Sequence, residues 1–111
     1  METRNLHVRE LHGWALVSLQ ERVDSFNYEQ VRSEIEALIA SGRTQVAVDL
    51  AKAKFLSVPS IQYLSSLADV LRSQGGQLAL LCPSEKLKRQ IDIYASLDKM
   101  RLFRTLNDLD I

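Results

Sequence analysis

The stretch from Gln45 to Gly76 constrains the fold most, because it combines the pattern of a buried strand with that of an amphipathic helix. The strand is the apolar, β-branched run Val46-Ala47-Val48, which is typical of a central parallel strand. Asp49 interrupts the run before Leu50, at the end of the strand where α/β folds tend to carry function. The sequence therefore predicts a strand–loop–helix unit at the centre of the domain.

The residues from Ser57 to Ser60 are predicted to open the helix of this unit. Pro59 suits a first helical turn, because its missing N–H would have no intrahelical partner there. The residue before a proline is biased away from helical dihedrals, so we expect Val58 to lie outside the helix. Gly75 and Gly76 are predicted to end the helix in a left-handed conformation.

Apolar residues recur at helical spacing between these two ends, and they predict the buried face of the helix. Those residues are Ile61, Leu64, Leu67, Ala68 and Leu71. We expect one core to be shared by the two central strands and this helix. Its predicted members are Val46, Val48, Leu64, Leu67, Leu71, Leu78 and Leu80.

The remaining elements give an α/β order. The pattern predicts a hairpin of two strands, Leu6 to Leu11 and Trp14 to Leu19, around a His12-Gly13 turn. Later strands are predicted at Gln77 to Leu81 and Leu102 to Leu106, and a short helical tail at Asn107 to Ile111. We therefore expect a mixed sheet of four or five strands, with three to four helices packed against it.

Two further helices are predicted to pack on this sheet. The first runs from Tyr28 to Ala40, is capped by Ser25 or Asn27, and buries Val31, Ile35, Leu38 and Ile39. The other is capped by Ser84 and presents Leu87, Ile91 and Tyr94 as its apolar face. The charges Lys86, Lys88 and Arg89 lie on its other side, either as a solvated face or as a partner contact.

Composition excludes several classes of function. A chain of 111 residues fits one domain, which we place at residues 4–108. Fourteen basic and fourteen acidic side chains cancel, which does not favour nucleic-acid binding. No apolar run has the length of a signal peptide or a membrane span, and Cys82 is the single cysteine, so we expect a cytoplasmic protein without membrane insertion.

Catalytic and metal motifs are missing from the sequence as well. The pair Gly75-Gly76 follows a helix, whereas a phosphate-binding loop precedes one, and there is no nucleophile elbow. His7 and His12 lack a ligand cluster at metal spacing. Asp24 and Asp49 could meet at one end of the sheet, but paired carboxylates need a cleft to act as catalysts. We therefore expect no enzyme activity, no cofactor and no metal.

The stretch from Gln45 to Gly76 resembles the STAS family, which includes bacterial anti-sigma factor antagonists. That family shows a strand ending in Asp-Leu, an aromatic-apolar pair, the motif Asp-Ser-Ser-Gly, a helix, Gly-Gly and another apolar strand. The matching positions here are Asp49-Leu50, Phe55-Leu56, Gly75-Gly76 and Leu78 to Leu81. Ser57, Val58, Pro59 and Ser60 stand at the four motif positions, so Val58 replaces the serine that is phosphorylated in the family.

A second landmark is the segment from Gln20 to Ser25, where the family often has a Gly–x–apolar–Asp sequence. Val23 and Asp24 are kept, but Glu21 replaces the glycine. Asp24 has two possible roles. Its carboxylate accepts free N–H groups at a helix N-terminus, or it belongs to the partner-binding loop that the resemblance implies.

The resemblance implies a protein-binding regulatory module that docks an anti-sigma kinase or another ATPase. The implied contact residues are Asp24, Ser57, Val58, Pro59, Ser60, Gln62, Ser65, Ser66 and Asp69. Val58 cannot be phosphorylated, and Ser57 and Ser60 are the candidate displaced sites. The alternative is a structural subunit of a signalling scaffold or of a transporter ATPase complex. The sequence leaves the oligomeric state open.

Overall fold

A computed structural model describes residues 6–82 and 84–109. The predicted domain boundary at residue 4 and the side chain of His7 lie outside the described part. The described residues form seven strands and three α-helices. Their bounds are β1 Leu6–Leu11, β2 Trp14–Leu19, β3 Arg22–Val23, α1 Tyr28–Ala40, β4 Gln45–Asp49, β5 Phe55–Leu56, α2 Val58–Ser73, β6 Gln77–Leu81, α3 Glu85–Tyr94 and β7 Arg101–Phe103.

Five of the strands form a mixed sheet in the order β1-β2-β4-β6-β7. Strands β1 and β2 pair antiparallel through the predicted hairpin, and His12 (φ 50°) and Gly13 (φ 85°) both adopt the positive φ that such a turn requires. The other pairs are parallel, because a helix connects each strand to the next. The predicted fold class, an α/β domain with a mixed sheet, is confirmed.

The main core lies between the sheet and the three helices. All seven predicted core residues are buried in it, including Leu67, which is 2% exposed. Helix α1 has the predicted bounds and buries Val31 and Ile35, while Leu38 and Ile39 are half-buried against the same core. The helices thus cover one face of the sheet.

A second, smaller core covers the other face of the sheet. Trp14, Leu16 and Ala47 are buried there against Leu109, which belongs to a 3₁₀ helix at Leu106–Leu109. The predicted last strand, Leu102 to Leu106, is therefore too long, since β7 ends at Phe103. The chain turns there because the Thr105 N–H and hydroxyl both donate to Asp108 Oδ2, at 3.3 and 3.2 Å.

The predicted apolar face of α3 is wrong at one position. Leu87 and Ile91 are buried, but Tyr94 is 42% exposed. The helix ends at Tyr94, and the extended backbone of Ala95 (φ −140°) turns that residue toward the core instead. Ser84 caps the helix as predicted, because its Oγ accepts the Leu87 N–H at 3.1 Å.

Candidate functional site

A two-stranded parallel sheet, formed by β3 and β5, determines where the candidate site lies. Arg22 pairs with Phe55, and Val23 pairs with Leu56. The Ser57 N–H then donates to the Val23 carbonyl at 2.8 Å. The loop after β3 is therefore fixed beside the N-terminus of α2. The structure thus brings together Asp24 and the Ser57–Ser60 segment, which are more than 30 residues apart in sequence.

Ser57 is the N-cap of α2, and its side chain is engaged in the cap. Ser57 Oγ accepts the Ser60 N–H at 3.4 Å and donates to Ser60 Oγ at 3.1 Å. Ser60 Oγ donates to the Ser57 carbonyl at 2.7 Å, and Ser60 is only 8% exposed. Both candidate displaced phosphorylation sites therefore have hydroxyls that are bonded within the first helical turn, and Ser60 is buried.

Val58 is the first residue of α2, so the expectation that proline would keep it out of the helix is wrong. The Ile61 N–H donates to the Ser57 carbonyl at 3.0 Å, and this first intrahelical bond encloses Val58 in the turn. The bias imposed by Pro59 is outweighed by the serine cap. Val58 is 37% exposed, and Pro59 and Gln62 are exposed next to it. The N-terminal end of α2 thus presents an apolar side chain to solvent.

The loop between β3 and α1 is shaped by Asp24. Its carbonyl accepts the N–H groups of Asn27 and Tyr28 at 3.3 and 2.9 Å, and its Oδ1 accepts the Phe26 N–H at 2.9 Å. Arg22, whose guanidinium stacks on Phe55 at 4.6 Å, lies 3.7 Å from Asp24 Oδ2. The Asp24 carboxylate therefore orders a turn and accepts no N–H of α1.

Neither predicted cap of α1 makes a side-chain capping bond. Asn27 stands at the cap position, but its Oδ1 accepts the Asp24 N–H and its Nδ2 donates to the Arg22 carbonyl. These bonds turn the Asn27 side chain back toward β3. Phe26 is left 96% exposed at the tip of the loop. Sequence reasoning missed this residue, since one aromatic side chain in a polar loop has no periodicity to mark it.

Four predicted contact residues lie farther along α2, on different sides of the helix. Ser65 Oγ accepts the Ser96 N–H at 3.0 Å, and Asp69 Oδ2 accepts from Lys99 Nζ at 3.1 Å. Both side chains thus face the segment after α3. Gln62 and Ser66 lie instead on the side of α1. Gln62 is near Val58 and Pro59, whereas Ser65 and Asp69 face away from them.

A groove of about 640 Å³ runs between α1 and α2, beginning at Pro59 and Gln62. Tyr28 and Tyr63 meet edge to face across it, with ring centroids 6.3 Å apart and an interplanar angle of 83°. Burial, and secondarily the charge of Glu36, raises the pKa of Tyr63 well above its ordinary value. The sequence signal that marks this groove is the pair Tyr63 and Val70, which lie one heptad apart beside the apolar residues of the core face.

No group of three His, Cys, Asp or Glu side chains could hold a metal ion within residues 6–82 and 84–109. In the same part of the chain, no helix has the length and apolarity needed to cross a membrane. Asp49 accepts the Ala51 N–H at 2.9 Å and the Ser18 hydroxyl at 3.5 Å. Burial raises the pKa of the Cys82 thiol, which disfavours the reactive thiolate.

Comparison with known proteins identifies the family. The profile of the STAS domain matches residues 5–109. The protein described as anti-sigma factor antagonist BtrV of Bordetella bronchiseptica is 29% identical over 75 residues, a match that spans 68% of this chain and 65% of that protein.

Solved structures share the fold. An anti-sigma factor antagonist from Mycobacterium paratuberculosis superposes with a TM-score of 0.82 at 20% identity, covering 93% of this chain and 87% of that one. The Bacillus cell fate determinant SpoIIAA in its phosphorylated form superposes with a TM-score of 0.73 at 17% identity, covering 95% of this chain and 96% of that one. By the family profile, supported by the shared fold, this chain belongs to the STAS domain family.

Proposed function

We propose that this chain is a regulatory module that binds a protein partner, in the manner of an anti-sigma factor antagonist. The partner would dock on the surface formed by Asp24, Phe26, Val58, Pro59 and Gln62, which we call the docking surface. The observation that carries the proposal is the bond from Ser57 N–H to the Val23 carbonyl, since it holds the Asp24 loop beside the start of α2.

The chemistry of this surface fits a protein partner. Phe26 and Val58 are large apolar side chains that are 96% and 37% exposed, and the bond from Ser57 N–H to the Val23 carbonyl holds the loop of Asp24 and Phe26 beside the start of α2. Exposed apolar residues that cluster with polar ones are typical of binding sites. The names of the relatives support an anti-sigma factor as the partner. We propose no catalytic role for the chain.

We further propose that the module stays in its binding-competent form. SpoIIAA has a phosphorylated form. The family resemblance implies that Val58 stands where the family has its phosphorylated serine. A phosphate adds about −1.5 to −2 charge, which a helix N-terminus tolerates, so its effect would fall mainly on the partner. Val58 has no hydroxyl, and the hydroxyls of Ser57 and Ser60 are bonded to each other within the cap.

The test begins with a pull-down that identifies the partner. The variant Val58→Glu should then weaken the complex at least about tenfold, because a carboxylate replaces apolar contact area, while its thermal midpoint stays nearly unchanged. Val8→Glu is the matched control: Val8 is similarly exposed at 40% but lies on the edge strand β1, so that variant should bind as the parent does.

Other outcomes would contradict parts of the proposal. Normal binding by Val58→Glu would show that the docking surface lies elsewhere. Phosphate found on Ser57 or Ser60 by mass spectrometry, with release of the partner, would replace the permanently competent form by a displaced switch. Retrieval of a transporter ATPase or of a large homo-assembly would support the structural-subunit alternative.

A further inference from the structure

The groove between α1 and α2 has an apolar floor that is open to solvent. Ile39, Tyr63 and Val70 line it, and Val70 is 43% exposed. Its volume of about 640 Å³ is large enough for bulky apolar side chains of a second molecule. This groove, which we call the α1–α2 groove, begins at Pro59 and Gln62 of the docking surface and continues as a concave apolar surface between the two helices.

The border of the α1–α2 groove carries a small excess of acidic charge. Glu36 and Arg32 both line the groove and form an ion pair at 3.2 Å. Arg32 also pairs with Glu29 at 3.5 Å, so two carboxylates share one guanidinium. Residues 21–36 contain five acidic and two basic side chains. An occupant with apolar side chains and basic neighbours would therefore fit this groove best.

Helix α3 of the same chain carries such a combination on its outer side. Lys86, Arg89 and Ile93 are spaced three and four residues apart and so form one stripe, opposite the buried Leu87 and Ile91. Ile93 is 72% exposed. Lys86 and Arg89 are exposed, and neither forms a salt bridge within residues 6–82 and 84–109, although the charge of Arg89 acts on Glu85. This α3 stripe is thus a basic and apolar surface without a partner in the described chain.

One molecule cannot place its own α3 stripe in its own groove. Helix α1 contacts α2 through the Tyr28–Tyr63 pair, whereas the segment after α3 contacts α2 through Ser65 and Ser96. The two helices therefore flank α2 from opposite sides. Residues 85–104, around α3, contain six basic and three acidic side chains, which is the opposite charge bias to that of residues 21–36.

We propose that the α3 stripe of one copy docks in the α1–α2 groove of a second copy, in a head-to-tail contact. Ile93 would enter the groove between Tyr63 and Val70, and Lys86 and Arg89 would approach Glu36 and Glu29, the two carboxylates that share Arg32. Such a contact uses two different surfaces, so it leaves a free groove and a free stripe at the two ends and lets short chains of molecules grow. The proposal does not depend on the identity of the regulatory partner.

The first experiment measures the association of the full chain by sedimentation velocity between about 10 μM and about 1 mM. Because the contact is small, we expect a weight-average sedimentation coefficient that rises with protein concentration. Because its charges are exposed, the association should weaken about threefold or more between 50 and 500 mM salt. A chain that stays monomeric throughout this concentration range at low salt would overturn the proposal.

The decisive experiment uses two variants that each disable one side of the contact. Ile93→Asp removes the inserting side chain, and Val70→Asp places a charge in the groove; each variant alone should associate at least about tenfold more weakly than the parent. Their mixture restores one intact stripe facing one intact groove, so it should form dimers and nothing larger. An interface that pairs the same surface of both copies would not be rescued by mixing. A mixture that associates no more strongly than either variant alone would therefore refute the head-to-tail contact.

Two controls keep the result interpretable. Both substituted residues are partly exposed, and unchanged circular dichroism and thermal midpoints would show that the variants fold. Asn107→Asp adds the same charge at an exposed position outside the groove and the stripe, so it should associate as the parent does. Equal loss of association in Asn107→Asp would mean that net charge, and no specific contact, governs self-association.

Discussion

The two glycines that end α2 should differ sharply in their response to alanine, although they are adjacent. Gly75 has a φ of +82°, with nothing within 4 Å of the position that a Cβ would occupy. Gly76 has no such positive φ, but a Cβ there would overlap the backbone carbonyl of Thr44 and lie 2.7 Å from the Thr44 Cβ. Gly75 is thus required by its backbone conformation, and Gly76 is required because no space exists for a Cβ.

The loss of stability in each variant depends on whether the backbone around the glycine can shift. The Gly76 N–H donates to the Leu71 carbonyl at 2.8 Å, and the Thr44 carbonyl accepts the Gln77 N–H at 3.0 Å. Both sides of the overlap are therefore held by backbone bonds, and Gly76→Ala has to shift α2 against β4. We expect a loss of about 3 kcal/mol or more, whereas Gly75→Ala should lose about 1–2 kcal/mol from left-handed strain.

Urea denaturation, followed by the fluorescence of the buried and single Trp14, measures both variants. A loss of about 3 kcal/mol should lower the thermal midpoint by roughly 12 °C in a domain of this size. The reasoning would be refuted if Gly76→Ala were less destabilising than Gly75→Ala. It would also be refuted if the free energy of unfolding of Gly76→Ala lay within about 1 kcal/mol of that of the parent.

Three further predictions concern the core, the cap and the tyrosine in the groove. Leu67→Ala should lower the free energy of unfolding by about 2–5 kcal/mol, because Leu67 is 2% exposed; a loss below about 1 kcal/mol in urea would contradict its place in the core. Ser57→Ala should cost about 1 kcal/mol, because the Ser60 N–H loses its capping acceptor, and Ser57→Asp should recover most of it. The raised pKa of Tyr63 means that the native state holds the phenol proton more tightly than the unfolded chain, whose ordinary pKa is 10.0. That stabilisation is present below about pH 10 and is lost as the pH rises further, so Tyr63→Phe should lose less stability than the parent between about pH 9 and pH 11. Equal losses in the two proteins would show that Tyr63 does not contribute to the alkaline transition.

The larger elements could be predicted because each shows its own pattern of apolar residues along the sequence. Helix α1 follows from the spacing of Val31 and Ile35, and the central strands follow from their short apolar runs. The strand pair β3 and β5 could not be found this way, since each has two residues and no period can be read from two positions. Its pairing depends on the tertiary fold, which brings Val23 beside Leu56.

The candidate site was only partly predictable for the same reason. Asp24 and Val58 could be selected from the family resemblance, and the structure places their segments together through β3 and β5. The use of Ser65 and Asp69 as partners of Ser96 and Lys99 depends on how the segment after α3 folds back on α2. Sequence spacing places these residues on α2 but does not show what lies opposite them.

The position of the 3₁₀ helix at Leu106–Leu109 has a consequence for synthesis in the cell. Leu109 packs on Trp14, Leu16 and Ala47, and the ribosome adds it after every strand of the sheet has been made. Leu109 can dock only after the segment that carries it has left the ribosome. Until then this face of the sheet lacks Leu109, so its apolar surface is open to chaperones that recognise such surfaces.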